Sequence, residues 1–235
     1  MSHDTVPRVD GPPPDGEEWE EEAAHWLRPV LVVVAVLGLL LLGAAAGLLV
    51  GLPGESGTQR PSAESVDVGF LQDMTVHHQQ AVEMGAWARD HTADPYVGKL
   101  AADMETTQNS QIGRMQGWLD LWGAAPLPVG GHMGWMAEPT HEHAAGTKVP
   151  VMPGMASDED LQALRAATGQ QLDVLFLQLM LRHHEGGKVM MDYAAQHASI
   201  PQVRNLATQM LTSQTAESDY LRQLLAERGA QPLPS

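Results

Sequence analysis

Apolar residues follow two different patterns along this chain. From Val30 to Leu52, "VLVVVAVLGLLLLGAAAGLLVGL" runs for 23 residues without a charged or polar side chain. Beyond residue 65 the apolar positions instead recur at alternating spacings of four and three. The first pattern predicts a helix that is apolar on every face, roughly 34 Å long at about 1.5 Å per residue, which suits a bilayer better than a soluble core. The second predicts amphipathic helices with one buried stripe each.

The stripes outline four long helices, at about Val66 to His91, Pro95 to Trp122, Gln170 to His197 and Pro201 to Arg228. Pro95 and Pro201 suit a first helical turn, where the missing N–H costs nothing. Gly123, followed by Pro126 and Pro128, predicts the end of the second helix. Connections as short as "TAD" and "ASI" make each pair an antiparallel hairpin. A further short helix is expected from "SDED", capped by Ser157 and broken at Gly169. The two hairpins are copies: Asp67–Pro128 aligns with Asp173–Pro234 at an offset of 106, without a gap, with 24 identities in 62 positions. The expected fold is all-α, a four-helix bundle made of two duplicated hairpins, plus one N-terminal transmembrane helix.

Charge refines this organisation. The 29 residues before the apolar run contain eight acidic residues against Arg8 and Arg28. A cleaved signal peptide would have a short basic head, so an uncleaved anchor is expected. Residues 1–29 read as an acidic, Pro-rich disordered tail, 30–52 as the anchor and 53–65 as a linker. Residues 66–128 form the first repeat, 129–156 a Met/His-rich loop, and 157–235 the short helix with the second repeat. Arg28 at the inner flank favours a single-pass cell-membrane protein, with its N-terminus cytoplasmic and its bundle on the extracytoplasmic side. Residues 53–235 carry 21 acidic and 11 basic residues, a net of −10, which disfavours nucleic acid as a partner. The chain has no cysteine, so neither disulfides nor thiolates are available.

The buried stripes contain unusual residues. In the first hairpin helix the stripe is Phe70, Met74, His77, Ala81, Met84, Ala88 and His91; its copy is Phe176, Met180, His183, Gly187, Met190, Ala194 and His197. His78 and His184 sit beside it. The partner helices carry Val97, Ala101, Met104, Gln108, Gln111 and Met115, copied as Val203, Ala207, Met210, Gln214, Glu217 and Leu221. Imidazole and thioether thus stand where Leu or Ile would stabilise a plain bundle, and Gln108 or Gln214 is placed to orient a histidine through its second nitrogen. The loop adds His132, Met133, Met136, His141, His143, Met152 and Met155.

Thioether sulfur with imidazole, and no cysteine, selects copper(I) or silver(I) over hard cations. Zinc or iron fits less well, since zinc more often recruits Cys, His and carboxylate. The strongest candidate ligands are Met74, His77, His78 and Met84 with Met180, His183, His184 and Met190. His91, Met104, His197 and Met210 follow, together with the seven loop residues. Plainer roles compete for the second group: methionine fills core gaps, and a histidine at a helix C-terminus favours the dipole.

No catalytic constellation accompanies these ligands. A carboxylate-bridged di-iron bundle needs Glu-x-x-His on two inward-facing helices, and Glu22-x-x-His25 lies before the membrane span. Glu83 is matched by Val189, and Asp67 and Asp173 stand at helix starts, where capping is expected. The motifs "FLQDMTVHHQQAVEM", "FLQLMLRHHEGGKVMM", "MPGMAS" and "SDEDLQALRAATGQQLDVLFLQLM" resemble the bacterial "domain of unknown function 305" family over about Val66 to Gly229. That resemblance implies a ferritin-like four-helix arrangement, export, and, in some relatives, copper binding linked to metal tolerance. It also singles out Met74, His77, His78, Met84, Met180, His183, His184 and Met190 as motif residues. Gly186 and Gly187 depart from the first copy's Gln80 and Ala81, which predicts a looser second motif helix.

The expected function is that of a membrane-anchored, exported protein binding Cu(I) or Ag(I) for sequestration, transfer or tolerance, with binding that weakens as pH falls through the histidine range. A metal-dependent oxidoreductase and a metal-free protein-interaction module are the alternatives.

Overall fold

The computed structural model describes residues 18–51, 60–136 and 148–234. The chain divides into two units, Met1–Gln59 and Arg60–Ser235.

In the first unit, α1 runs from Glu18 to Gly51. Its segment Pro29–Gly47 is long and apolar enough to cross a membrane, and its side chains are not buried against protein. The helix begins 12 residues before Val30, so residues 18–29 are helical and not the disordered tail expected there. The strong helix formers Glu20, Glu21, Glu22, Ala23 and Ala24 extend a helix already nucleated by the apolar run.

The second unit contains α2 (Val66–His91), α3 (Pro95–Trp122), α4 (Asp158–Ala166), α5 (Gly169–His197) and α6 (Pro201–Glu227). The predicted ends of the four long helices hold to within a residue, for local reasons. Ser65 caps α2 by accepting from Val68 N at 3.2 Å. Asp94 caps α3 ahead of Pro95, and Gly123 ends it in the left-handed region at φ 64°. Ser157 and Asp160 form a reciprocal capping box on α4. Gly169, expected only to break that helix, is the first residue of α5, at φ 56°. Among the described residues the extended structure is one isolated bridge, His132 to Val149.

Helix α2 packs on α3, α5 packs on α6, and the hairpins meet along α2 and α5. Asp67 and Asp173 help hold this arrangement. Asp67 was expected to cap its own helix, yet it accepts from Ser199 N and Ile200 N, at 2.9 and 2.8 Å, in the turn of the other hairpin. Asp173 reciprocally accepts from Thr92 Oγ1 in the first hairpin's turn. Each copy therefore ties down its partner's turn.

The apolar core falls into two clusters. One joins Phe70, Met74, Met115 and Leu119 of the first hairpin to Met190, Ala194, Val203 and Met210 of the second. The other joins Ala81, Met84, Val97 and Met104 to Phe176, Met180, Leu221 and Leu225. The start of α2 thus shares a core with the end of α5, and its end with the start of α5, so these two helices run antiparallel. Each fully buried Phe or Met contributes about 1.5–3 kcal/mol. On α2 the clusters change over between Met74 and Ala81, and on α5 between Met180 and Met190; His77 and His183 occupy those intervals.

Candidate metal centre

The interval between the clusters is a polar layer. His77, His78, His183 and His184 are buried there, at 0–1% exposure, with Gln108 and Gln214 also buried. The rings of His77 and His183 meet across the α2–α5 contact, centroids 3.8 Å apart and planes inclined at 38°. His78 and His184 lie farther out, 6.5 and 6.4 Å from their chain neighbours. The His77 ring fits because α5 carries Gly187: a Cβ there would stand 3.0 Å from His77 Cε1.

Hydrogen bonding sets the tautomers. His77 Nε2 donates to the carbonyl of Pro153 at 3.3 Å, and His184 Nε2 donates to the Glu217 carboxylate at 2.7 Å. His78 Nε2 pairs with the Gln111 amide oxygen at 2.8 Å. With the proton on Nε2, each of these rings presents a lone pair at Nδ1, and all three Nδ1 atoms are buried without a partner. Both ring nitrogens of His183, both amide atoms of Gln108 and Oε1 of Gln214 are also unpartnered. Each such group costs about 1–3 kcal/mol of desolvation that no bond returns. Buried lone pairs in one layer suit a cation that accepts them.

The expectation that Gln108 or Gln214 orients a histidine is therefore corrected. Gln111 and Glu217, three residues farther along, do so, because the rings they hold belong to His78 and His184, one residue off the buried stripe.

Burial also sets the charge of the layer. It is the largest cause of the depressed pKa of His77, about 3, with the neighbouring His78 adding to the effect. It holds His78 at about 4, against the opposing hydrogen bond from Gln111. His183 is pushed well below the ordinary value, by burial first and then by His77. These imidazoles are neutral at physiological pH, so a metal need not displace a proton from them.

The methionines bracket the layer. Met74 and Met190 lie in one cluster, Met84 and Met180 in the other, so each side draws one thioether from each copy. Met210 joins the first pair and Met104 the second. Among the described residues no group of three or more His, Asp or Glu is arranged to hold a metal ion. Imidazole alone does not complete a coordination shell here.

Other candidates stand elsewhere. His91 and His197 are exposed at helix ends, stacked on Trp87 and Tyr193 at 3.6 and 4.1 Å. Each donates Nδ1–H to the carbonyl four residues back. His132 is engaged by Asp73 at 2.7 Å, and Met133, Met136 and Met155 pack partly buried against the core. Met152 is buried in the first cluster. His141 and His143 lie outside the described residues.

Two features organise the loop, one of them absent from the sequence reading and the other read there for a different effect. Buried Asp73 accepts from His132 Nδ1, Met133 N and Trp135 Nε1, all at 2.7 Å. Its counterpart in the second copy is Leu179, a mismatch visible in the self-alignment. Gly186 is the other. A Cβ there would stand 2.3 Å from the Pro153 carbonyl, and one on Gly154, at φ 80°, would stand 2.5 Å from the Arg182 carbonyl. Across from them, Gln80 bonds Ala156 in both directions, at 2.9 and 2.7 Å. Residues 153–156 are thus a strap clamped between α2 and α5 beside the histidines. The glycines that were expected to loosen α5 instead let the strap and His77 approach it. Glu83 and Glu185, carboxylates on the motif helices, are taken up by Arg165 and Arg222.

Comparison with known proteins follows the same residues. The family described as "Domain of unknown function (DUF305)" matches residues 67–225. The chain is 41% identical to a DUF305 protein of Streptomyces coelicolor named as secreted, with a TM-score of 0.67 over 74% of this chain and 100% of that one. A DUF305 fragment from Deinococcus radiodurans is 30% identical, TM-score 0.55, over 69% and 96%. CopM in its Cu(I)-bound form is 26% identical, TM-score 0.53, over 68% and 96%, and its Cu(II)- and Ag-bound forms match equally. Uncharacterized protein L153 of Acanthamoeba polyphaga mimivirus is 35% identical over 54 residues, and the chain spans 36% of its length.

Proposed function

The chain belongs to the DUF305 family, and from that premise we propose that it is a membrane-anchored protein that binds Cu(I), or Ag(I), through its histidine layer and the flanking thioethers. The observation that carries this reading is the set of buried imidazoles whose Nδ1 atoms have no partner. Met74, His77, His78 and Met84, with Met180, His183, His184 and Met190, are the ligand pool. Thioether sulfur supplies what imidazole alone leaves incomplete and favours the monovalent ion. Gln111, Glu217 and Pro153 hold the rings by their other nitrogen. The likeness to CopM, solved with Cu(I), Cu(II) and Ag, supports this choice of metals.

Sequestration or handover of the ion is the role, with Glu217, the carboxylate bonded to the layer, holding the His184 ring. The apolar segment Pro29–Gly47 serves as the anchor, with the N-terminus cytoplasmic and the bundle outside. The secreted relative fits that placement.

The test is an anaerobic Cu(I) titration of the full chain in detergent micelles, against a chromogenic chelator. The protein is expected to withdraw copper from the chelator, and a variant with His77, His78, His183 and His184 changed to Ala is expected to lose that capacity. A wild-type protein with intact helical circular dichroism that leaves the chelator fully loaded overturns the reading.

A further inference from the structure

The two copies present the same imidazoles to the layer but back them with different groups. His78 is held by the neutral amide of Gln111 at 2.8 Å and His184 by the carboxylate of Glu217 at 2.7 Å. Gln111 and Glu217 are counterparts across the 106-residue offset. The anion is not cancelled locally. Among the described residues the one ion pair of Glu217 is with His184, while Arg222 is shared by Glu185 and Asp219. The first copy has Gln79 and Gln116 where the second has Glu185 and Arg222, so those positions add no charge to the His78 side. A carboxylate that accepts the Nε2 proton makes imidazole a more basic ligand at Nδ1. Its attraction for a bound cation grows with the cation's charge, and Glu217, itself partly exposed, acts through the fully buried ring of His184.

From this asymmetry we propose that Glu217 sets the charge preference of the layer: the His184 half accepts divalent copper, whereas the His78 half, backed by Gln111, is restricted to the monovalent ion. The proposal rests on the copper-binding reading above. Glu217 acts through His184 as a positioning and charge-setting residue, and its replacement is expected to shift the balance between oxidation states more than overall binding.

The experiment measures Cu(I) and Cu(II) affinities of the full chain in micelles with a separate competing chelator for each ion, for wild type, Glu217→Gln and Gln111→Glu. Glu217→Gln is expected to weaken Cu(II) about 10- to 100-fold more than Cu(I). That corresponds to a Cu(II)/Cu(I) potential raised by about 60–120 mV, at 59 mV per decade. Gln111→Glu is expected to shift the ratio the other way. Wild type that binds Cu(I), with an affinity ratio unmoved in both variants, overturns this inference and leaves the copper reading intact. Equal losses for both ions in a Glu217→Gln protein that melts like wild type overturn it as well, by assigning Glu217 a purely structural role. Wild type that binds neither ion removes both readings together.

Discussion

The α2–α3 and α5–α6 hairpins are copies of one sequence, and two of their differences lie where a single loop touches them. Both keep the His pair, the flanking methionines and the stacked histidine at the helix end. They differ at Asp73 against Leu179 and at Gln80 against Gly186. Asp73 gathers the start of the loop, Gln80 bonds its end, and Gly186 clears space for Pro153. A symmetric bundle has two equivalent flanks, but one linker can cover only one of them. These two differences fall where symmetry is unavoidably lost, while the His pairs and the flanking methionines are kept in both copies.

Acid is expected to act most strongly, and on both copies at once. The folded-state pKa values of His77 and His78, about 3 and 4, lie below the ordinary 6.5. The unfolded chain therefore takes up protons that the folded layer refuses. Their contribution to stability is full above pH 6.5 and is lost as pH falls toward 3–4, at about 1 kcal/mol per histidine per pH unit. Urea unfolding of metal-free protein at pH 7 and pH 5 measures this, and a midpoint unchanged between them would contradict the burial argument.

Swapping residues between copies probes the divergence. Gly186→Gln writes the first copy's residue into the second and should cost at least about 3 kcal/mol, because its Cβ meets strap backbone. An unaltered midpoint would mean that the strap moves aside freely. Asp73→Leu, the reverse transfer, removes three hydrogen bonds to a buried carboxylate and should cost about 2–3 kcal/mol. It should also raise proteolytic cleavage near residue 132. Smallest is the pair Asp67→Ala and Asp173→Ala. The first loses two bonds from backbone donors and the second one from a hydroxyl, so about 1–2 against about 1 kcal/mol is expected in thermal melts. Equal losses would show that the two turns are held by other contacts.

Much of this architecture was readable in advance. Pro95, Pro201, Ser157 and Gly123 mark helix ends by local chemistry, and the 4–3 spacing placed His77 and His183 inside. What could not be read depends on rotation of one helix against another. His78 lies one residue off the stripe, so whether it meets Gln108 or Gln111 is decided by the α2–α3 packing angle, which periodicity does not contain. Gly186 looked like a weakness because a glycine's neighbours are invisible until the strap is in place. Asp73 was legible only as a mismatch with Leu179.

The mixed composition of the two core clusters has a further consequence, for ancestry. Each cluster takes its residues from both hairpins, so a lone hairpin would leave half of two cores open to water. Two identical hairpins would close them as an isologous pair, with the His77 and His183 rings meeting at the dyad. The duplicated sequence and shared cores match such a dimer made covalent. Fusion replaced an assembly that depends on protein concentration with one set by tether length. It also released the halves from having to remain identical, which is the freedom that Glu217 and Gly186 record.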